Sequence, residues 1–142
     1  MGKKNTNTAR PVIIHGIYHA RASCRAALGN GHSVTMWSAL GASSYMGPRW
    51  FSEIIRMVRS EFPTLKILGI LDCGDQPGDA LAAIETGVEA LALTAKPAAL
   101  RSIREIADQA NVNLHRRPSH KLDLSKCLDA EACCKRWFGI QI

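Results

Sequence analysis

The chain of 142 residues is poor in aromatic side chains: three Trp, two Tyr and three Phe make up 6% of it. Proteins that bind single-stranded nucleic acid commonly interleave aromatic residues with clustered Lys and Arg. Here the basic residues are spread along the chain, and most aromatic residues fall at expected core positions. Nucleic acid is therefore not the expected partner, although nucleic-acid binding stays as an alternative function.

Long apolar runs are also missing from the sequence. No stretch approaches the ~20 residues that a helix needs to cross a bilayer, so we expect no transmembrane span and no membrane partner. The first eleven residues, MGKKNTNTARP, are polar and basic and lack the apolar segment of a secretory signal. We therefore expect a cytoplasmic protein, with residues 1–10 as a flexible N-terminal arm.

Acidic residues are outnumbered, with 12 Asp and Glu against 18 Lys and Arg, which gives a formal net charge of +6. A positive protein attracts anions, so this balance favours a small anionic ligand such as a phosphorylated metabolite.

Cysteine does not occur in a pattern that indicates disulfides or a metal. An odd number of five, without secretory context, indicates reduced thiols. No CxxC or HExxH spacing occurs, so no metal site is predicted. The small-residue loop 41–47 (GASSYMG) matches neither GxxxxGK[ST] nor GxGxxG, and the cofactor, if one is bound, stays unknown.

The order of apolar patterns along the chain predicts alternating strands and helices. The predicted strands are Val12–His15, Ser33–Ser38, Leu65–Leu71, Ala90–Thr94 and Val112–His115. Helices follow each of them, the first one ended by Gly29-Asn30-Gly31, and the next three opened by Pro48, Pro77 and Pro97. A last helix is expected at about 125–138.

This alternation predicts a single α/β domain over residues 11–142. Short strand–helix–strand links force parallel pairing. We expect a three-layer α/β/α fold with a five-stranded parallel sheet in the flavodoxin/receiver-like order 2-1-3-4-5. A half-barrel or a Rossmann-like order is the alternative.

Polar residues gather after the predicted strands rather than before them. Ligands of open parallel sheets bind beyond the carboxyl ends of the strands, so a site is expected at that edge. The candidate catalytic residues are His15, His19, Asp72 and Cys73. The candidate ligand-binding residues are Ser43, Ser44, Asp75, Thr94, Lys96 and Arg116.

The segment Asp72-Cys73-Gly74-Asp75 has two interpretations. In the first, its two carboxylates face the same location, where they take part in acid–base catalysis or bind a hard cation. Alternatively, Asp75 caps the helix opened by Pro77, while Asp72 ties down the turn. The histidines His15 and His19 are candidates for acid–base catalysis or for contacting an anion.

Asp72, Thr94-Ala95 and Lys96-Pro97 resemble the residues at the strand ends of a bacterial receiver domain, but the Lys-Pro pair of that family follows strand five, one element later than Lys96-Pro97. The resemblance implies the 2-1-3-4-5 order, but the acidic pair after strand one is replaced by Ile14-His15, so it does not imply phosphotransfer. Lys96 lies near a strand end, and in this respect the chain resembles one half of a barrel aldolase, in which such a lysine forms a Schiff base when it is desolvated. A solvated lysine at the start of a helix is the alternative interpretation.

The C-terminal residues 133–142 are apolar for a chain end, and we expect a homodimer formed through the C-terminal helix. The predicted function is binding of a small anionic metabolite at the carboxyl edge of the sheet. A non-enzymatic, receiver-like oligomeric or regulatory module is the other alternative. The sequence does not decide whether the protein is an enzyme.

Overall fold

The computed structural model describes residues 10–28, 31 and 33–139. Its strands are β1 Val12–Ile13, β2 Val34–Trp37, β3 Ile67–Asp72, β4 Ala90–Ala92, β5 Asn113–His115 and β6 Leu122–Asp123. Its α-helices are α1 Ile17–Ala27, α2 Ala42–Tyr45, α3 Pro48–Glu61, α4 Pro77–Thr86, α5 Pro97–Gln109 and α6 Ala130–Trp137. Most of the predicted N-terminal arm lies outside the described residues. So do Gly29 and Asn30, which were predicted to end the first helix.

The α/β class and the parallel sheet flanked by helices are confirmed. The strand count and the strand order were predicted wrongly. The sheet has six strands in the order β5-β4-β3-β2-β1-β6, so β1 to β5 lie side by side in chain order. A crossover can place the next strand on either side of its predecessor without changing the hydrophobic pattern, which is why the pattern did not indicate the order.

The sixth strand was missed because it is only two residues long. Leu122 pairs with Val12 and Asp123 pairs with Ile13, both in parallel register. A strand this short shows no alternation along the sequence. The C-terminal helix is also shorter than predicted, since a 3-10 helix at Leu124–Lys126 and a short link precede α6.

The described residues pack as two compact units, each built from several segments. The first is drawn from Met1–Trp37, Ile54–Leu68 and Pro118–Ile142, and the second from Ser38–Glu53 and Gly69–Arg117. The single domain over 11–142 stays a prediction.

In the first unit, β1 and β2 are almost completely buried, and α6 packs against α1. Cys134 and Phe138 of the C-terminal segment are buried at 0% and 7% exposure. The apolar chain end is therefore largely covered within the chain, although Ile140 and Ile142 lie outside the described residues. The homodimer stays a prediction.

In the second unit, Leu71 of β3 pairs with Leu91 of β4, and Leu91 pairs with Leu114 of β5. Helix α4 packs against α5 and against the short helix α2, which occupies part of the predicted loop 40–47. The carboxyl ends of β3, β4 and β5 therefore meet at one edge of this unit.

Candidate functional site

The carboxylate of Asp72, at the end of β3, is the centre of a buried polar cluster in the second unit. Its Oδ1 accepts from the backbone N–H groups of Gly41, at 2.9 Å, and Gly74, at 2.8 Å. Its Oδ2 accepts from Nη1 of Arg117 at 2.8 Å. An unpaired buried charge costs several kcal/mol, and these three bonds offset that cost. Asp72 thus ties a loop, a turn and an arginine together.

Ser38 completes this cluster from the end of β2. Its Oγ accepts from the backbone N–H of Asp72 at 2.8 Å and donates to the carbonyl of Ala39 at 3.1 Å. Arg117 also reaches the carbonyl of Ser38 at 3.4 Å. These bonds match the interpretation of Asp72 as the residue that ties down the turn.

Three other predicted site residues, Cys73, Ser43 and Ser44, are also buried or hydrogen-bonded within the protein. Cys73 is 0% exposed, and burial raises the pKa of its thiol to about 11, so the thiol stays protonated near neutral pH. Ser43 is buried in α2, and Ser44 donates to the carboxylate of Asp79. None of these residues lines the clefts described next.

Two clefts adjoin at the carboxyl ends of β4 and β5. The first has a volume of about 550 Å³ and is lined by Asp75, Pro77, Thr94, Ala95, Lys96 and Ala99. The second has a volume of about 430 Å³, and its polar lining is Thr94, Arg104, His115, Arg116 and Arg117. The clefts share Thr94 and Ala95. Four predicted ligand-binding residues, Asp75, Thr94, Lys96 and Arg116, therefore line one pair of clefts.

Positive charge dominates the lining of these clefts. Lys96, Arg104 and Arg116 form no ion pair within the part of the chain that the structure describes, whereas Arg117 is bound to Asp72. The carboxylate of Asp75 accepts from its neighbour Gln76 at 2.8 Å and is exposed. The clefts therefore offer cationic side chains that no carboxylate of the described residues neutralises.

The N-terminus of α5 adds to the positive electrostatic potential of these clefts. Lys96 precedes the first helical residue Pro97, its side chain makes no capping hydrogen bond, and the first turn contains no acidic residue. The first backbone N–H groups of a helix lack intrahelical partners and carry partial positive charge. Since Lys96 and Ala99 both line the first cleft, this end of α5 favours an anion there.

A second polar cluster lies in the first unit, where β1 and β6 end side by side. Nε2 of His15 lies 2.7 Å from Oδ1 of Asp123. The same oxygen accepts from the backbone N–H and the hydroxyl of Ser125, at 3.0 and 2.8 Å. Burial raises the pKa of Asp123, but the bonds from Ser125 and His15 outweigh it, so the pKa is lowered. Asp123 is thus a carboxylate that orients the His15 imidazole.

His19, on the first turn of α1, is held in a defined tautomer. Its Nδ1 accepts the backbone N–H of His15 at 3.0 Å, so the proton of the neutral ring sits on Nε2. Burial first, and the nearby His15 second, lower the pKa of His19. His19 is therefore a neutral imidazole near neutral pH, able to donate from Nε2 to a substrate oxygen.

His19 also lines a separate cavity of about 360 Å³ between α1 and the start of α6. Tyr18, Arg25, Cys127 and Glu131 contribute to the same cavity. Arg25 and Glu131 are paired with each other at 3.2 Å, and the carboxylate of Asp129, which also lines the cavity, leaves the lining with a net negative charge. The site suits a polar neutral ligand better than an anion.

One assignment differs from the predictions, and two site residues, Arg104 and Asp123, were missed. Asp75 does not cap α4, because Gln76 holds the N-cap position. Arg104 was not among the predicted site residues; it is exposed and lies four residues after Leu100 and eight after Lys96, so all three lie on one helix face. Asp123 was missed with β6. That His15 or His19 shares a pocket with Asp72 stays a prediction.

Comparison with known protein families gives no match, and no curated protein matches the chain. Within the described ranges, no helix has the length and apolar character needed to span a membrane. The same part of the chain holds no group of three or more His, Cys, Asp and Glu side chains suited to a metal ion.

Proposed function

We propose that the protein binds a small metabolite carrying a phosphate or carboxylate group in the paired clefts at the carboxyl ends of β4 and β5. The observation that carries the proposal is the set of three cations around the shared residue Thr94, Lys96, Arg104 and Arg116, which form no ion pair with any residue that the structure describes. A charged group placed there gains charge-assisted hydrogen bonds, which are about twice as strong as neutral ones.

The different surroundings of the two adjacent arginines, Arg116 and Arg117, support the proposal. Arg117 neutralises Asp72 inside the protein, while the adjacent Arg116 is exposed at the cleft. Lys96 stands at the N-terminus of α5, where the helix dipole favours the same sign of ligand charge. Thr94 is exposed and adds a hydroxyl that can donate to an anion.

The apolar part of the lining supports a metabolite rather than an inorganic ion alone. Leu93, Leu100 and Leu114 line the second cleft beside the arginines. Ligand sites commonly combine apolar walls with a few placed polar groups, and about 300–1,000 Å³ is their usual volume. No Phe, Tyr or Trp side chain lines either cleft, which argues against stacking with nucleic-acid bases.

Calorimetric titration with inorganic phosphate, at constant ionic strength, tests the proposal. We expect Lys96→Ala and Arg116→Ala each to weaken binding by about tenfold to a hundredfold, since a hydrogen bond to a charged group contributes ~1.5–3 kcal/mol. Arg101→Ala is the matched control, because Arg101 is an exposed arginine of the same helix that lines neither cleft.

Equal weakening by all three substitutions would mean that phosphate responds to net charge alone, and would contradict the proposal. The absence of binding to the unsubstituted protein would contradict it as well. A generic DNA duplex serves as competitor: salt-sensitive binding of DNA that outcompetes phosphate would favour the nucleic-acid alternative.

A further inference from the structure

The imidazole of His15, which follows β1 in the first unit, has one nitrogen bound to a carboxylate and the other available. Nε2 lies 2.7 Å from Oδ1 of Asp123. A carboxylate only accepts hydrogen bonds, so Nε2 carries the proton of the neutral ring. The lone pair then lies on Nδ1. Among the residues that the structure describes, none is hydrogen-bonded to this Nδ1.

The orientation of the His15 ring is fixed by neighbours from three segments. The backbone N–H of His15 donates to Nδ1 of His19 at 3.0 Å, and the two rings meet edge to face with their centroids 5.6 Å apart. Oδ1 of Asp123 also accepts from the backbone N–H and the hydroxyl of Ser125, so the carboxylate itself is held in place. His15 is nevertheless exposed. A reactant can therefore reach a ring whose orientation the fold has already set.

The lone pair of Nδ1 is suited to act as a nucleophile itself. Where histidine activates a serine or a cysteine, the hydroxyl or thiol is hydrogen-bonded to the imidazole. No described residue places such a group on His15, because the Ser125 hydroxyl donates to Asp123 instead. Histidine also forms covalent intermediates directly. When Nδ1 forms a bond to an electrophile, the ring becomes positively charged, and the adjacent carboxylate stabilises that charge.

The start of α1 favours a phosphoryl group as this electrophile. Gly16, which follows His15, is the N-cap residue of α1, no side chain caps this helix, and its first turn contains no acidic residue. The first N–H groups of a helix lack intrahelical partners and attract anions. A phosphoryl group carries negative charge, whereas an acyl group carries none, so the end of α1 next to His15 selects for the former.

We propose that His15 accepts a phosphoryl group on Nδ1 from a phosphoramidate, with Asp123 as the positioning residue. The Nδ1–P bond forms while the P–N bond of the N-protonated donor breaks. The amine leaves with the electron pair of that bond, which is ammonia when the donor is phosphoramidate itself. The ring retains its Nε2 proton and acquires a positive charge, which the carboxylate of Asp123 balances.

Incubation of the full chain with potassium phosphoramidate tests the proposal. Peptide mapping at alkaline pH, where phosphohistidine is stable, gives the rate at each histidine, and phosphorus NMR identifies the substituted nitrogen. His120 is the internal control, because it is exposed and its ring contacts Trp137 rather than any carboxylate of the described residues. We expect His15 to react about tenfold faster than His120 or more, since the bond to a charged group stabilises the phosphorylated ring, and to carry the phosphoryl group on Nδ1.

Matched variants isolate the contribution of Asp123. Asp123→Asn should slow the reaction of His15 by about tenfold and distribute the phosphoryl group over both ring nitrogens, while the rate at His120 stays unchanged. Ser125→Ala keeps the carboxylate and should slow the reaction less. The proposal is overturned if His15 reacts no faster than His120, if its phosphoryl group is on Nε2, or if Asp123→Asn alters neither the rate nor the nitrogen. Because the first two outcomes are measured on the unsubstituted chain, misfolding of a variant does not obscure the result.

Discussion

Arg117 donates from Nη1 to Oδ2 of Asp72 at 2.8 Å, and the two side chains are 19% and 4% exposed. Because of this ion pair, the two arginines of the turn after β5 have different roles. Arg117 serves the fold by neutralising a buried carboxylate, and Arg116 remains at the cleft. The pair therefore explains how two adjacent arginines differ in what they contribute.

The first prediction concerns this buried pair. Asp72→Asn leaves the Arg117 charge without its partner and places an amide where three donors converge. We expect a loss of about 3 kcal/mol in the free energy of unfolding, as for other broken buried pairs. Urea denaturation measures it. Asp75→Asn, at an exposed carboxylate, should change stability by less than about 0.5 kcal/mol. Equal effects at both positions would contradict the structural role of Asp72.

The second prediction uses two glycines near each other in sequence. Gly74 has φ of +60°, and a Cβ there would lie 3.4 Å from the Cα of Gly41. Gly74→Ala should therefore destabilise the protein by about 1 kcal/mol or more. Gly78 lies in α4 with open space around its Cβ position, so Gly78→Ala should stabilise the protein by about 0.5–1 kcal/mol. Thermal melts that move both variants in the same direction would contradict this difference.

The third prediction concerns the pKa of His19. Because its pKa in the folded protein is lowered from the ordinary value of 6.5, the unfolded state binds more protons between those two values. Stability should therefore be complete above pH 6.5 and fall as the pH is lowered through that value towards the pKa of the folded state. Burial lowers the pKa of His115 as well, so His115 contributes in the same direction.

Urea denaturation across this pH range measures the direction in which stability changes with pH. NMR titration of the imidazoles measures the direction of the pKa shift of His19. His19→Asn keeps an acceptor for the His15 N–H and should make the pH dependence shallower without removing it. His15→Asn should raise the pKa of His19, because it removes a like charge, and Asp123→Asn should lower it. A midpoint for His19 at or above 6.5 in the unsubstituted protein would refute the assignment.

The sequence predicted the clefts better than it predicted the topology. Thr94, Lys96 and Arg116 were expected at the carboxyl edge because each follows a strand, and chain direction alone places such residues there in a parallel sheet. Prolines at the starts of α3, α4 and α5 marked those helices correctly, since proline suits the first helical turn.

What the sequence did not predict depends on contacts between distant segments. Strand order is set by the side on which each crossover returns, and β6 is recognisable only through its pairing with β1. The role of Asp72 depends on Arg117, which lies 45 residues away in sequence. The partner of His15 is 108 residues away. Local pattern carries no information about such pairs, so Asp72 and His15 were identified without their partners.

The most direct measurement is an NMR titration of the isotope-labelled chain with inorganic phosphate, with chloride at equal ionic strength as the control. If the clefts bind the anion, the backbone amides of Thr94, Lys96, Ala98 and Ala99 and the side-chain resonances of Arg104 and Arg116 will shift and saturate with phosphate and not with chloride. Shifts confined to other basic residues, such as Arg49 and Arg101, or shifts that chloride reproduces, would contradict the proposed binding site.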